Sequence, residues 1–481
     1  MIKLYNTFGR QIQDFKPVNP GLAKIYTCGP TVYDYQHIGN YFGYIHWDTL
    51  VRLLKAGGLE VQRIMNITDV GHLVSDADDG EDKLERGAKR DGKTAREIAD
   101  FYAEDFFKAM ASLNLIPPEK YAKATDYIAE QIEIIGTLLD KGAAYQTEQA
   151  IYFDVKKTKD YEKLSGQKLS DKEVGARQEV VTDSSKHHPQ DFALWFFRVG
   201  RFAEHQLHWP SPWGDGFPGW HLECSAIIHA TLGEPIDIHT GGVDHIGTHH
   251  TNEIAQSETA FEKSLANFWL HNNHMMVDGQ KISKSLGNGY TLGDLAKKGF
   301  SPLDFKTLVL GSHYRSQTNF SWEALAGAKA RLKTYRDFAD LRFQLDPNVN
   351  PLADKHFEDL KNEILAALGE DLASPLALAK LDGAIDHIAG YSSAIHSLQS
   401  ETFEAFLTFL DSMFGLELLK SDDVSSEQTD IIRQREQARS AKDWTKADEL
   451  REQLKKQGIE INDTPAGPVW SRIDQSVASA N

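Results

Sequence analysis

Cysteine is scarce in this chain, whose 481 residues contain only Cys28 and Cys224. The absence of a Cys-x-x-Cys pair excludes the compact zinc-finger templates. No hydrophobic run reaches the roughly 18 residues that a membrane-spanning helix needs, so we expect no membrane partner. Basic residues are outnumbered, since 52 Lys and Arg face 70 Asp and Glu and give a formal charge of −18. This balance argues against wholesale nucleic-acid binding, although a local basic patch is compatible with it.

The first residues, Met-Ile-Lys-Leu-Tyr-Asn, lack the apolar stretch of a secretory signal. One disulfide in so long a chain would be unusual, so we expect a cytoplasmic protein with reduced cysteines. The hydrophobic share of 41% and the charged share of 25% are ordinary for globular proteins. The length predicts about three domains.

Both cysteines lie in segments that are candidates for a catalytic or metal-binding site. Cys28 ends an apolar run and precedes Gly-Pro, whereas Cys224 lies in Gly-Trp-His-Leu-Glu-Cys-Ser. His249 and Glu253 are four residues apart, so a helix would place them on one face. Two thiolates, an imidazole and a carboxylate form a plausible tetrahedral ligand set for Zn²⁺. Free cysteines are also common as small buried hydrophobic residues, and spacing alone leaves both interpretations open.

The N-terminal two-thirds has an α/β pattern. A strand, a glycine-bearing turn, a helix and a second strand are predicted at 25–27, 28–40, 41–56 and 59–68. Ligands of parallel sheets bind beyond the carboxyl ends of the strands. Cys28, His37 and Thr68 would all lie there. A later strand at 236–239 leads into a second glycine turn.

The remaining segments are less informative. The acidic stretch 76–82 fails as a calcium loop because its glycine comes one position early and position twelve is Gly87, so we interpret it as a solvated acidic loop. The chain becomes helical and rich in Leu and Ala past about 316. A polar segment at 421–429 then precedes a last charged module.

Two motifs indicate a family. The segments 37–40 (His-Ile-Gly-Asn) and 281–285 (Lys-Ile-Ser-Lys-Ser) resemble the HIGH and KMSKS signatures of class I aminoacyl-tRNA synthetases. Further segments are similar to those of the cysteinyl-tRNA synthetase family, namely Cys-Gly-Pro-Thr-Val-Tyr (28–33), Asn-Ile-Thr-Asp (66–69), Gly-Trp-His-Leu-Glu-Cys-Ser-Ala (219–226), His-His-x-Asn-Glu-Ile-Ala-Gln-Ser-Glu (249–258), Lys-Ser-Leu-Gly-Asn (284–288) and the tail motif in 438–448. The resemblance covers essentially the whole chain.

The resemblance implies an α/β fold: a Rossmann-type class I catalytic domain with an inserted connective subdomain, then a helical bundle and a small anticodon-binding module. The corresponding boundaries are 1–119 and 206–315 for the two catalytic halves, 120–205 for the insertion, 316–420 for the bundle and 421–481 for the module.

The implied activity is ATP-dependent conversion of L-cysteine to cysteinyl-adenylate, followed by transfer to tRNA(Cys). Such an enzyme must reject serine, and apolar pockets discriminate poorly between near-isosteres. A thiophilic metal prefers the substrate sulfur. The resemblance therefore implies one Zn²⁺ per chain, held by Cys28, Cys224, His249 and Glu253, with Mg²⁺ accompanying ATP. We expect a monomer.

The resemblance also assigns roles in catalysis and ATP binding. Catalytic residues would be His37, Asn40, Lys281 and Lys284, and ATP would contact His37, Asn40, Gly241 and Lys284. Backbone N–H groups at a helix N-terminus also favour phosphates.

Thr68, Trp220 and Asp244 would contact the substrate cysteine. Each has a structural alternative: Thr68 as the start of a turn, Trp220 as a core residue, and Asp244 as the N-cap of the helix that carries His249.

The tail is locally basic, with nine Lys and Arg against seven Asp and Glu over residues 431–472. By resemblance, Arg439, Trp444, Asp448 and Asp463 would contact the tRNA anticodon, where bases are recognised by stacking and edge hydrogen bonds. Trp444 also shares an apolar helix face with Ala447, Leu450 and Leu454, so it could instead belong to the core.

The sequence departs from the family pattern at Asn40, which replaces the last His of HIGH, at Thr251 and Gly247-Thr248, and in a longer loop at 70–80. Two alternatives remain open: a cysteine ligase with an amino-sugar acceptor, of the mycothiol pathway type, and a non-catalytic zinc-containing RNA-binding paralog. The first typically lacks the anticodon module, and the HIGH-like and KMSKS-like motifs argue against the second.

Overall fold

The computed structural model describes residues 1–73, 81–166, 185–283, 286–345, 355–390, 400–464 and 467–473. They form two compact units, the first from Met1–Thr291 and Tyr314–Asn319, the second from Leu292–His313 and Phe320–Asn481. The described helices are α1 (Ile38–Ala56), α2 (Lys83–Asp91), α3 (Ala95–Ser112), α4 (Ile128–Asp140), α5 (Trp220–Thr231), α6 (His249–Phe261), α7 (Leu292–Lys297), α8 (Pro302–Leu310), α9 (Trp322–Asp340), α10 (Lys355–Gly369), α11 (Ser374–Gly390), α12 (Ser400–Phe414), α13 (Ser426–Ser440) and α14 (Trp444–Lys456).

The described strands are β1 (Lys3–Asn6), β2 (Gln11–Asp14), β3 (Leu22–Thr27), β4 (Glu60–Ile67), β5 (Lys120–Lys123), β6 (Ala144–Gln146), β7 (Ala150–Phe153), β8 (Phe192–Phe197), β9 (Gly216–Pro218), β10 (Ile236–Gly242), β11 (Ala266–Asn272), β12 (Met275–Val277), β13 (Gln280–Lys281), β14 (Thr318–Phe320), β15 (Ile459–Thr464) and β16 (Gly467–Arg472). Among the described helices, none is long and apolar enough to cross a bilayer.

A five-stranded parallel sheet organises the first unit, in the order β11-β10-β3-β4-β5. The chain runs outward from β3 to β5 and then returns to the other side of β3, so the topology reverses between β3 and β10. Ligands of open parallel sheets bind at such a reversal, beyond the carboxyl ends of the strands. The predicted strand–helix–strand unit is confirmed as β3, α1 and β4.

The first unit also contains an antiparallel sheet, in the order β6-β7-β8-β9, whose side chains contribute to a hydrophobic core of their own. Its extent differs from the predicted insertion at 120–205, since β9 continues it to Pro218 and β5 belongs to the parallel sheet. The edge strand β5 is half exposed and lacks the long apolar run that marks the central strands. Its sequence therefore did not indicate that it belongs to the parallel sheet. The five-part division of the chain stays a prediction.

Helices α5 and α6 connect the cores to the site. Leu222 and Ala226 of α5 pack in the core of the antiparallel sheet, while Cys224, Ile227 and Ile228 pack in the core of the parallel sheet. A helix buried on both faces is usually apolar all round, but α5 also buries the polar residues His221, Glu223 and Ser225. Polar residues of α6 are buried too. Gln256 Nε2 and Ser257 Oγ donate hydrogen bonds to Ser225 Oγ of α5, at 2.8 and 2.6 Å.

The acidic stretch is not wholly solvated. Asp82 is only 2% exposed and caps α2, its Oδ1 accepting the Leu84 and Glu85 N–H groups at 2.7 and 3.3 Å. The expectation of a solvated loop is therefore wrong for Asp82, because a carboxylate that accepts the free N–H groups at a helix start is stabilised there even when it is buried. Residues 74–80 lie outside the described part of the chain.

The second unit is mainly helical and ends in a small module. There α13, α14 and the β15–β16 hairpin share a core of Val424, Ile431, Leu450, Leu454, Ile459, Ile461 and Trp470. The side-chain amide of Gln344, after α9, donates to the Trp470 carbonyl at 3.1 Å and accepts its N–H at 2.9 Å.

Gly219 lets β8 approach the start of α5. A Cβ there would lie 2.0 Å from the Ala193 carbonyl oxygen, whereas one at Gly136, inside α4, meets nothing closer than 4.0 Å. We expect Gly219→Ala to lower the free energy of unfolding by roughly 1–3 kcal/mol through overpacking. Gly136→Ala should instead raise it by up to about 1 kcal/mol. Thermal unfolding of both variants tests this, and an unchanged midpoint for Gly219→Ala would contradict it.

Candidate metal centre and active site

Four side chains from distant segments converge at the topological reversal. Cys28 follows β3, Cys224 lies on α5, and His249 and Glu253 lie one turn apart on α6. All four are buried, and their candidate ligand atoms lie within 4.8 Å of one another. The Cys28 N–H donates to the Thr240 carbonyl of β10 at 3.0 Å, which ties this loop to the neighbouring strand.

The contacts inside the cluster are close. His249 Nε2 lies 3.4 Å from Cys224 Sγ and 3.0 Å from Glu253 Oε1. Glu253 Oε2 bonds to His239 Nε2 at 2.7 Å, whereas the buried Oε1 has the ion-pair contact with His249 but no well-aligned hydrogen bond among the described residues. A metal ion would satisfy this oxygen more fully.

Electrostatics keeps the carboxylate charged. Burial alone would raise the pKa of Glu253, but the His239 and His249 imidazoles lower it to about 2. Burial opposes charging of His249, yet Glu253 and Cys28 raise its pKa to about 10. Burial and the hydrogen bond to Cys28 raise the pKa of Cys224. The Glu253 carboxylate and the His249 imidazolium therefore form a buried ion pair, in which a metal cation would replace the proton of His249.

The donor set fits zinc. Zinc–sulfur and zinc–nitrogen bonds of about 2.3 and 2.1 Å place tetrahedral ligands about 3.3–3.8 Å apart, close to the separations here. A second set, Cys28, His239, His250 and Glu253, also lies within range. The first set can use Glu253 Oε1 and preserve the His239 bond to Oε2, which would then orient the carboxylate from outside the ligand shell.

Trp220 packs against a candidate ligand. Its indole stacks on His249, with ring centroids 4.2 Å apart and planes inclined by 17°. Its other face stacks on His72 at 3.9 Å and 8°. Both faces are therefore covered, so a substrate would meet the edge of the ring.

Thr68 follows β4 and is buried. Its hydroxyl donates to Glu223 Oε1 and accepts the Asn66 amide at 3.1 Å. Burial raises the pKa of Glu223 to about 8, although the Thr68 hydrogen bond opposes this. Glu223 Oε2 has no hydrogen-bond partner among the described residues. Thr68 is thus part of a buried polar pair and does more than begin a turn.

Asp244 and Gly241 lie around the end of β10. The Asp244 side chain is 58% exposed, so its carboxylate is accessible. Thr248, not Asp244, is the N-cap of α6, so the capping alternative is wrong. Gly241 is needed for close packing, since a Cβ there would lie 2.7 Å from His250. Contact of Gly241 with ATP stays a prediction.

The HIGH-like turn begins α1. His37 is its N-cap, and the Asn40 side-chain oxygen accepts the His37 N–H at 3.1 Å. This bond uses the acceptor end of the Asn40 amide and leaves its NH₂ group as the donor. Asn40 is exposed at the helix N-terminus, where an anion would be favoured.

The KMSKS-like segment lies against this turn. Gly39 allows the contact, because a Cβ there would lie 2.8 Å from Ile282, and the Ile38 N–H donates to the Tyr290 carbonyl at 2.8 Å. Lys281 is exposed on β13. Lys284, the lysine predicted to act on ATP, lies outside the described residues.

The predicted anticodon residues lie in the C-terminal module. Asp463 on β15 accepts two bonds from Arg435, at 2.8 and 2.7 Å, and another from Arg439. These contacts lower the pKa of Asp463, and the hydrogen bond from Arg435 contributes most to this shift. Asp448 lines a groove with Arg451, Glu452, Lys455, Ile459, Glu460 and Ile461.

Trp444 lies at the start of α14 and is 59% exposed, whereas Ala447, Leu450 and Leu454 are buried. Its interpretation as a core residue is therefore wrong. An indole this exposed is available for stacking.

Comparison with known proteins agrees with this geometry. Residues 14–330 match the model of the tRNA synthetases class I (C) catalytic domain, and residues 421–470 match that of the cysteinyl-tRNA ligase anticodon binding domain. A cysteine–tRNA ligase of Treponema denticola is 39% identical, covering 98% of this chain and 100% of that protein. The chain belongs to the cysteinyl-tRNA synthetase family.

Other comparisons support the assignment of this cysteinyl-tRNA synthetase family member. A cysteine–tRNA ligase of Thermus thermophilus is 37% identical over 97% of this chain and 98% of that protein. The fold is also that of a solved Mycobacterium tuberculosis methionyl-tRNA synthetase in complex with methionyl-adenylate, with a TM-score of 0.58 and 14% identity over 82% of this chain and 88% of that one. The predicted class I fold is confirmed.

Sequence reasoning missed several residues that contact the predicted ones, among them His72, Glu223, His239 and Arg435. Glu223 had a signal, since it directly precedes Cys224, and so had His239, a histidine within the buried strand β10. His72 and Arg435 had none, because a loop histidine and an arginine in a charged helix are ordinary at the surface.

Cys224 distinguishes the two candidate ligand sets. We expect Cys224→Ser to lose most bound zinc, because a neutral hydroxyl is a poor substitute for a thiolate. His250→Ala should retain zinc, since His250 belongs only to the second set. Metal analysis of both purified variants, alongside thermal unfolding, checks this. Zinc retained by Cys224→Ser and lost by His250→Ala would favour the second set.

Proposed function

We propose that this chain is a cysteine–tRNA ligase that activates L-cysteine with ATP and transfers it to tRNA(Cys). The observation that carries the proposal is the convergence of Cys28, Cys224, His249 and Glu253 at the reversal of the parallel sheet. The anticodon-domain match at 421–470 favours tRNA over an amino-sugar acceptor.

The four converging side chains would hold a zinc ion, which would bind the substrate thiolate and so favour cysteine over serine. Asp244, exposed at the end of β10, would accept hydrogen bonds from the substrate ammonium. Thr68 and the edge of Trp220 would border the same pocket.

Adenylation is then mainly a matter of positioning and charge. The substrate carboxylate forms a bond to the α-phosphorus of ATP, and the bond to the bridging oxygen of pyrophosphate breaks. His37 and Asn40 would donate to the phosphates with the N-terminal N–H groups of α1. Lys281 and Lys284 would balance charge on pyrophosphate, Gly241 would border the nucleotide, and Mg²⁺ would accompany ATP.

Cysteine-dependent exchange of pyrophosphate into ATP tests the first step. We expect exchange with cysteine and little with serine, and loss of exchange after zinc removal by a chelator. Transfer of labelled cysteine to tRNA(Cys) tests the second step. An amino-sugar acceptor used in preference to tRNA would favour the ligase alternative, and an inert protein would favour the non-catalytic paralog.

In the tRNA step, Arg439, Trp444, Asp448 and Asp463 would contact the anticodon, with Trp444 stacking on a base. Carboxylates suit base amino groups, whereas basic side chains suit phosphates. A monomer working in the cytoplasm stays our expectation.

Arg435 positions this anticodon surface. Its side chain is 4% exposed and makes a planar two-bond contact with Asp463, which in turn holds Arg439. A bidentate guanidinium–carboxylate pair fixes the direction of both partners. Orientation of Arg439 and Asp463 therefore depends on a buried residue that cannot reach the tRNA itself.

We expect Arg435→Gln to raise the KM for tRNA(Cys) about tenfold, consistent with a loss of roughly 1.4 kcal/mol from charged hydrogen bonds. Pyrophosphate exchange should be unchanged, because the adenylation residues lie in the other unit. Arg433→Gln is the matched control, since Arg433 lies on the same helix but is 70% exposed and pairs only locally with Asp430. Equal effects of both substitutions on tRNA charging would contradict a positioning role for Arg435.

A further inference from the structure

We propose that His72 is a positioning residue for the metal centre, which fixes the ring of His249 through Trp220. The inference rests on the zinc site proposed above. His72, Trp220 and His249 form a column of three stacked rings, with centroid separations of 3.9 and 4.2 Å and interplanar angles of 8° and 17°. The column runs from the segment after β4 to the candidate ligand.

Stacking on both faces restrains the indole. Rotation of Trp220 about its side-chain torsions would break two aromatic contacts, each worth about 0.5–1.5 kcal/mol beyond simple burial. With Trp220 fixed, the face of His249 that it covers is fixed too. The His249 Nε2 then stays aimed at Cys224 and Glu253.

Hydrogen bonds fix His72 at the other end of the column. Lys83 Nζ lies 2.6 Å from His72 Nε2, and Thr31 Oγ1 lies 2.6 Å from its Nδ1. An ammonium group can only donate, so Nε2 accepts and Nδ1 donates to Thr31. Thr31 itself pairs with Thr68 through the backbone, so the ring is tied to two segments of the pocket.

The backbone around His72 is equally constrained. Its carbonyl accepts the Lys83 N–H at 3.0 Å, and the preceding Gly71 N–H donates to the buried Asp82 carboxylate at 3.1 Å. Gly71 has a φ of +76°, and a Cβ there would lie 2.2 Å from the Pro218 carbonyl, just before α5. This close approach brings His72 over Trp220, the first residue of α5.

Groups that orient a metal ligand from outside the shell typically affect metal affinity 10- to 100-fold. We therefore expect His72→Ala to raise the zinc dissociation constant about tenfold, measured by competition with a chromophoric chelator. Its cobalt-substituted form should show an altered visible spectrum, because the His249 ring is less restrained. His72→Phe keeps a flat ring over Trp220 and should stay within about threefold of the unsubstituted protein.

His229→Ala is the matched control. His229 lies on α5, like Trp220, and stacks on Phe261 at 3.9 Å and 3°, but it comes after Cys224 in the last turn of the helix, which carries no candidate ligand. It should leave zinc affinity unchanged. Thermal unfolding of every variant separates loss of the column from loss of the fold.

The outcomes separate the two proposals. No zinc binding by the unsubstituted protein would overturn the zinc site and the role of His72 with it. Zinc binding that His72→Ala leaves unchanged would overturn only the role of His72. An equal loss in His72→Ala and His72→Phe, with both folded, would also overturn it, since the stack would then not carry the effect.

Discussion

A buried carboxylate surrounded by imidazoles and thiols governs this architecture. An ionised group deep in a protein is costly unless it is paired and hydrogen-bonded, and Glu253 is completely buried. Its Oε2 is satisfied by His239 on β10, while its Oε1 faces Cys224 and His249. The three elements that carry these groups, β10, α5 and α6, must keep their relative positions for the charge to be tolerated.

The parallel sheet supplies that precision. The cysteines lie in the apolar core formed with Tyr26, Ile64 and Ile227, and close-packed cores move little. Among the residues proposed to handle ATP, Asn40 lies exposed at the start of α1 and Lys281 lies exposed on β13, whereas Gly241 lies within β10. The proposed amino-acid site and the proposed nucleotide site thus draw on different parts of the same unit.

Much of this arrangement could be predicted from the sequence. The strand–helix–strand unit from β3 to β4 follows from apolar runs separated by a glycine turn. The metal cluster needed the family resemblance, because spacing cannot show that Cys28 and Cys224 meet. His72 was not predictable, since its role depends on a ring stacked across the fold. The prediction of a solvated acidic loop fails at Asp82. A run of like charges suggested exposure to solvent, although the last carboxylate of the run is a buried helix cap.

Gln344 has a consequence for the second unit. Its amide makes with Trp470 the donor–acceptor pair that a neighbouring strand would make. An open strand edge invites pairing with another chain. One side chain thus occupies, at Trp470, the backbone donor and acceptor that an added strand would otherwise use on β16.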